Sequence, residues 1–334
     1  MLFVLRVRET EGAGLEDKCM IRFGIMGAGN IAHGFAGAVR RVEGAELAAV
    51  ASKDIERAAG WARQENVPGY YGCYEDLLED REIDAVYIAT TGNYHFDNIK
   101  QCLEAGKHVI CEKAMVPTVA QVEEVFSLAR EKKLFVMEGM WSRFLPKTQK
   151  VREWVKSGVI GEIKQIQATI GFHPPRDMDG RLYNPALGGG VMYDLGVYFI
   201  DLIPYFVNQR IVDLQAWVQR AETGIDESVN LNLQLERCVA NGQIAFGTIM
   251  PEDAYLYGER GYIRVPKLHW GRGAELFDEE QTLIERFEEP EPEGFVYEIE
   301  EAVRCIEQGR LESDIASWEM TLMNSRIYER VLGE

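Results

Sequence analysis

Ile21-Arg22-Phe23-Gly24-Ile25-Met26-Gly27-Ala28-Gly29-Asn30-Ile31-Ala32 is an apolar run that breaks on two glycines and resumes as a helix-like stretch to Arg41. A strand, a tight glycine turn and a helix N-terminus, in that order, make a cradle for a dinucleotide pyrophosphate. Gly27 permits the sharp turn, and Gly29 removes a side chain where the phosphates approach the backbone. Ala32 lets the helix lie close on the strand. The unpaired amides around Asn30 and Ile31, at the positive end of the helix dipole, then face the anion.

Outward from this turn, short β-branched runs alternate with longer helical stretches. Strands are expected at Ile21–Met26, Leu47–Ala51, Ala85–Ala89, His108–Cys111 and Phe135–Met137. Helices are expected at Ile31–Arg41, Ile55–Gln64, Asp97–Ala105 and Val119–Lys132. Such alternation predicts an α/β domain over residues 20–140, a parallel sheet with helices on both faces. Gly106 reads as a C-cap, and Thr118, with Gln121 three residues on, as an N-cap.

Past Trp141 the rhythm changes. Val229 to Leu235 alternates apolar and amide side chains, and Ile166, Ala168 and Ile170 alternate with Gln165, Gln167 and Thr169. These predict strands of an antiparallel or mixed sheet in a second, α+β domain over residues 141–334. Its outer face of Asn, Gln and Thr suits either solvent or a partner subunit. A final helix from Ser317 to Val331, with Trp318, Leu322, Ile327 and Val331 on one broad face, can pack back on the first domain.

The length of 334 residues fits two such domains. A net charge of −18 argues against nucleic acid, which needs concentrated Lys and Arg. No apolar run approaches the roughly 18 to 20 residues of a membrane span. The acidic stretch from Glu275 to Glu293 reads as a solvated loop or face. Six cysteines, at 19, 73, 102, 111, 238 and 305, form no CxxC pair and no Cys/His cluster. They predict a reducing cytoplasm and no metal site. Residues 1–19 lack a secretory h-region and read as a disordered extension or as the product of an upstream start codon.

Ligands on parallel sheets sit at the carboxyl ends of strands. After the second strand comes Ser52-Lys53-Asp54, where an NAD site carries an acid for the ribose 2′-hydroxyl. A hydroxyl and an ammonium suit a 2′-phosphate, so NADP is favoured, with NAD possible. Asp54 is expected to cap the next helix. The next strands run into Thr90, Asn93 and His95, and into Glu112-Lys113-Ala114. Charges ending a buried strand must be paired or functional. Finally, Gly188-Gly189-Gly190 precedes Asp194, Tyr198 and Asp201, which share one helical face amid apolar neighbours and point to a cavity.

Together GAGNIA, GKHVICEK and GGGVMYDLGVYFID resemble the glucose–fructose oxidoreductase/inositol dehydrogenase (Gfo/Idh/MocA) family. With Met140 to Pro146 and Tyr198, the chain resembles the branch of dimeric trans-dihydrodiol and NADP-dependent D-xylose dehydrogenases. The resemblance implies a Rossmann domain followed by a large open, mainly antiparallel sheet through which subunits pair as homodimers or higher homo-oligomers. It implies that Lys113 is the motif lysine, that Asp194 and Tyr198 are the acid and the acid/base, and that Trp141 lines the substrate site. Ala114 stands where the family has proline, and Thr91-Gly92-Asn93 where it has Thr-Pro-Asn.

Oxidising an alcohol then needs a base, and Tyr198 is expected to serve, with the Lys113 ammonium lowering its pKa. Asp194 would orient Lys113 or bind a second substrate hydroxyl; Lys113 as proton carrier is the variant assignment. Trp141, Phe144, Phe172 and Arg176 are expected to shape a pocket for a sugar, polyol or arene diol. Trp270 is expected to be core packing. Two other readings stay open: an NAD-dependent inositol or sugar-acid dehydrogenase, and a non-catalytic dinucleotide-binding regulator.

Overall fold

The first strand, β1 (Ile21–Met26), is buried almost throughout, as a strand covered on both faces must be. The computed structural model describes residues 20–289 and 294–333, so the expected extension at 1–19 lies outside the described residues. After β1 come α1 (Asn30–Val39), β2 (Ala45–Ala51), α2 (Ile55–Glu65), β3 (Gly69–Tyr71) and α3 (Tyr74–Glu79). Then follow β4 (Ala85–Ile88), α4 (His95–Glu104), β5 (His108–Glu112), α5 (Val119–Lys132) and β6 (Val136–Gly139). The six strands form one parallel sheet in the order β3-β2-β1-β4-β5-β6. Order reverses beside β1, and that switch point opens a crevice above the strand ends. Strand β3 and helix α3 are too short for periodicity to betray them.

Local chemistry fixes the element ends. Thr118 accepts from Gln121 N at the start of α5, and Asp54 accepts from Glu56 N and Arg57 N at the start of α2. Gly106 follows α4 at φ +79°.

A second, eight-stranded sheet begins after α6 (Pro146–Ser157), with β7 (Ile163–Phe172). Its remaining elements are α7 (Val197–Val207), β8 (Ile211–Arg220), β9 (Asp226–Leu235) and β10 (Val239–Phe246). Then come β11 (Ala254–Gly258), β12 (Gly261–Val265), β13 (Gly273–Asp278) and β14 (Leu283–Glu288). The order is β14-β13-β12-β11-β7-β10-β9-β8, and β7 with β10 is the parallel pair among antiparallel ones. One face carries Leu231, Leu233, Ile166 and Ala168 into the core, and the other carries the expected amides.

Two helices complete the described chain, α8 (Gly294–Glu307) and α9 (Trp318–Leu332). Both return to the first sheet. Phe295 of α8 lies against Gly34 of α1, and Trp318 of α9 stacks on Phe126 of α5 at 4.5 Å. The Trp318 indole also donates to Val136 O at 2.9 Å.

Two sequence expectations change here. The helical stretch Pro185–Val207 is long and apolar enough to span a membrane, but two-thirds of it is buried inside the protein. Its apolarity serves the core under the second sheet. The acidic stretch is not wholly solvated either. Glu275 pairs with Arg264 and Arg286, and Glu289 is buried and accepts from the Tyr297 hydroxyl at 2.9 Å.

Candidate functional site

Gly27 adopts φ +108°, and a Cβ there would sit 2.9 Å from Ala89 O. The turn between β1 and α1 therefore requires glycine on both conformational and steric grounds. The α1 N-terminus carries neither a side-chain cap nor an acidic residue in its first turn. Its amides are left to an external acceptor. This turn floors a cavity of about 870 Å³ that runs from Lys53 to Asp194. Gly27, Gly29, Asn30, Ile31, Ser52, Lys53, Thr90, Asn93, His95, Glu112, Lys113 and Asp194 all line it.

At the β2 end, Asp54 caps α2 through Oδ1 and does not line the cavity. Lys53 Nζ sits 4.1 Å from the Tyr94 ring centroid, within cation–π range. Arg57, which the sequence reading missed, lines the same end and donates to Ala28 O at 3.1 Å. Its signal was available: it lies one helical turn past Lys53. Two cations and a buried serine, with no free acid among them, fit a 2′-phosphate.

His95 lines the cavity but is a poor ligand. Its Nε2 faces Thr90 O at 3.1 Å, and its Nδ1 faces Ala114 O at 3.0 Å and Met115 O at 3.2 Å. Burial lowers its pKa against the opposing pull of the Thr90, Ala114 and Met115 carbonyls. The expected cofactor contact becomes a backbone tie between the β4 and β5 ends. Thr90 is likewise engaged, accepting from Asn98 at 2.9 Å.

The Glu112–Lys113 pair splits between two partners. Glu112 is buried and accepts from the Tyr87 hydroxyl, and burial raises its pKa. Lys113 reaches across to the second half of the chain, donating to Asp194 O at 2.7 Å and Asp194 Oδ1 at 3.3 Å. The Lys113–Ala114 peptide is cis, with alanine in place of the family's proline. Burial alone would lower the Lys113 pKa, yet Asp194, Tyr198 and Glu112 together raise it. Burial would raise the Asp194 carboxyl, but Lys113 and Arg181 outweigh it and hold it below the ordinary range. Arg181, also missed from sequence, donates to Asp194 Oδ1 at 2.9 Å.

Asp194 sits in a π-helical turn, Met192–Gly196, that leads into α7. Such turns widen the helix locally and recur at functional sites. Gly190, at φ +133°, lets Asp226 approach so closely that a Cβ would lie 2.2 Å from its Oδ1. Asp226 then accepts from Met192 N at 2.7 Å and fixes the start of the turn.

Tyr198, 5% exposed, follows on α7. Lys113 Nζ lies 5.1 Å from its ring centroid, and Trp141 Nε1 donates to its hydroxyl at 3.3 Å. The expected lowering of its pKa is reversed. Burial raises it and outweighs the pull of Lys113, with Glu112 adding to the rise. His269, absent from the sequence reading, stacks on the Tyr198 ring at 4.1 Å and 15°. Phe295, also missed, stacks on Trp141 at 6.1 Å. Tertiary packing alone brings both there.

Other expected residues lie elsewhere. Asp201 is fully buried, gripped by Arg143 through bonds of 2.7 and 2.9 Å. The guanidinium, not a cavity, waits beneath that turn of α7. Phe144 is buried and does not line the cavity. Phe172 pairs in register with Phe246 on β10 and packs edge-on against it at 5.6 Å, so strand pairing takes its ring. Arg176 lines a separate cavity of about 320 Å³ and pairs with Glu222 at 3.5 Å. Trp270 is 42% exposed, not core, and its indole donates to Glu252 at 2.7 Å.

Residues 21–140 match the profile of an oxidoreductase family with an NAD-binding Rossmann fold, and residues 148–264 match the GFO/IDH/MocA C-terminal domain. The chain is 32% identical to the mouse (Mus musculus) trans-1,2-dihydrobenzene-1,2-diol dehydrogenase, covering 94% of this chain and 95% of that one. The Xenopus tropicalis protein of the same name is 30% identical, over 94% and 96%. A 3-ketoreductase from Actinomadura kijaniata in complex with NADP and TDP-benzene has the same fold, with TM-score 0.85 and 24% identity over 93% and 96%. So does an aldose-aldose oxidoreductase from Caulobacter crescentus complexed with glycerol, with TM-score 0.83 and 22% identity over 93% and 96%.

Proposed function

The chain belongs to the Gfo/Idh/MocA oxidoreductase family, and from that premise we propose that it is an NADP-dependent dehydrogenase of sugar, polyol or trans-dihydrodiol hydroxyls. The observation that carries this reading is that Lys113 and Asp194 line one end of a cavity whose other end is an uncapped helix N-terminus, with the Tyr198 ring centroid 5.1 Å from Lys113 Nζ. Names of relatives and neighbours that bind NADP or act on diols and sugars support it.

Gly27, Gly29, Asn30 and Ile31 would hold the pyrophosphate, and Ser52, Lys53 and Arg57 the 2′-phosphate. When bound, the cofactor supplies or accepts the hydride at nicotinamide C4. The protein's part is proton and charge management. Tyr198 holds its phenolic proton at neutral pH, because burial raises its pKa first and Lys113 only partly offsets that. The phenol is thus ready to donate its proton to a substrate carbonyl, which leaves a phenolate beside Lys113; the oxidative direction starts from that phenolate, which takes up the proton of the alcohol. Lys113 stays an ammonium, and with Arg181 it places two cations around one carboxylate. The Lys113 ammonium favours oxyanion character on the reacting oxygen. Asp194 orients Lys113 through both its carbonyl and its carboxylate.

Residues 20–140 would form the nucleotide domain and 141–334 the substrate domain. Trp217 and Val239, each at least 48% exposed and paired in register with Asn230 and Gln234, support a homodimer formed through the second sheet. Sedimentation of the native protein tests that. The five described cysteines are free, which supports a cytoplasmic location.

Tyr198→Phe tests the core of this reading. Turnover should fall by about two to four orders of magnitude, with NADP affinity unchanged. Near-normal turnover would remove Tyr198 as the proton carrier.

A further inference from the structure

His269 lies on the segment between β12 and β13, and that segment is held rigidly. Buried Lys147 on α6 donates to Lys267 O at 3.0 Å and to Leu268 O at 2.9 Å. Leu268 N donates to Glu252 O at 2.6 Å, and the Leu268 side chain is fully buried. The flanking backbone therefore fixes where the imidazole points. It lies flat on Tyr198, with ring centroids 4.1 Å apart.

The two ring nitrogens differ. Nδ1 is buried and has no hydrogen-bond partner. An N–H there would be stranded without a partner, so the proton belongs on Nε2. Burial, with smaller contributions from Lys113 and Lys147, pushes the His269 pKa down to about 3, so the ring is neutral and carries one donor. That donor is on the other nitrogen of a half-buried ring that stacks on Tyr198 and lies within electrostatic range of Lys113 and Asp194.

We infer that His269 is a specificity-determining residue whose Nε2–H donates to a second oxygen of the substrate, matching the pocket to a polyhydroxylated ring. The inference rests on the proposed hydride-transfer site and names its substrate class. Tyr198 takes the reacting hydroxyl, and His269 reads a further one. A ring with a bare hydrocarbon far edge would leave that donor unpaired. Sites built to bond a hydroxyl discriminate strongly against analogues that lack it.

His269→Phe keeps an aromatic ring against Tyr198 and removes the donor, whereas His269→Gln restores a donor without the stack. The probes are D-xylose and trans-1,2-cyclohexanediol, titrated into the NADP-loaded protein by cofactor fluorescence, with kcat and KM measured alongside. D-xylose should bind the native protein more tightly than the diol. In His269→Phe its Kd and KM should rise about 10- to 100-fold, while the diol's shift far less. His269→Gln should recover part of the sugar preference. Equal losses for both probes, no sugar preference in the native protein, or no recovery in His269→Gln would overturn the inference. Selective loss of D-xylose binding in a protein that turns over neither probe would support it and sink the hydride-transfer reading instead.

Discussion

The two ends of the cleft are built by different logic. The phosphate end comes from neighbours in sequence: Gly27 to Ile31 form one turn, and Ser52 to Arg57 sit on the next strand end and helix start. The chemical end is assembled at long range. Lys113 leaves the first sheet to meet Asp194, Trp141 bonds Tyr198, and His269 and Phe295 arrive from later segments. A local site tolerates change elsewhere in the molecule. A site drawn from five segments depends on every brace between them.

The strongest blow to that contrast should fall on a brace far from the cavity. Arg143 and Asp201 are both buried, and Asn324 of α9 adds a bond to Asp201 at 3.4 Å. Asp201→Ala strands the guanidinium and should cost about 3–5 kcal/mol of stability. Urea midpoints check this, and a loss below about 1 kcal/mol would mean the brace is dispensable.

A somewhat smaller effect is expected from Lys147→Met, read as a slope against pH. Burial lowers the Lys147 pKa from 10.5 to about 7, against the opposing pull of Glu289 and Asp253. Between these values the unfolded chain carries a proton that the folded protein has shed, so stability rises with pH across that window. The rise amounts to a few kcal/mol, and the penalty is fully present below about pH 7. Lys147→Met should flatten the slope between about pH 7 and pH 9.5, whatever its effect on the midpoint. Parallel slopes in mutant and native protein would assign the rise to another group.

The mildest change belongs to the phosphate end. Lys53→Ala should reduce the preference for NADP over NAD by about 10- to 100-fold and leave turnover at saturating cofactor untouched. A fall in kcat as large as the loss of affinity would mean that the two ends are coupled.

The same contrast explains what could be read in advance. Glycine spacing, the Asp54 cap and the βαβ rhythm are short-range signals, and the first sheet follows them. Lys113 and Asp194 were legible because charged residues in apolar surroundings need partners, and these two found each other. Phe172 was misplaced because composition says nothing of which way a strand end faces, and register with β10 decided it. Asp201 shared a stripe with Tyr198, but periodicity cannot tell a cavity from a guanidinium. His269 carried no motif at all. The sign of the Tyr198 shift was also beyond the sequence, because it depends on how completely the site is dried.

The return of α8 and α9 to the first sheet sets an order of events during synthesis. Strand β6 and helix α5 leave the ribosome well before the side chains that cover them, led by Trp318 of α9. The nucleotide half must therefore wait, partly uncovered, while the whole second sheet is made. Its maturation follows the synthesis of α9, and a chain stalled before that helix leaves apolar surface open to chaperones.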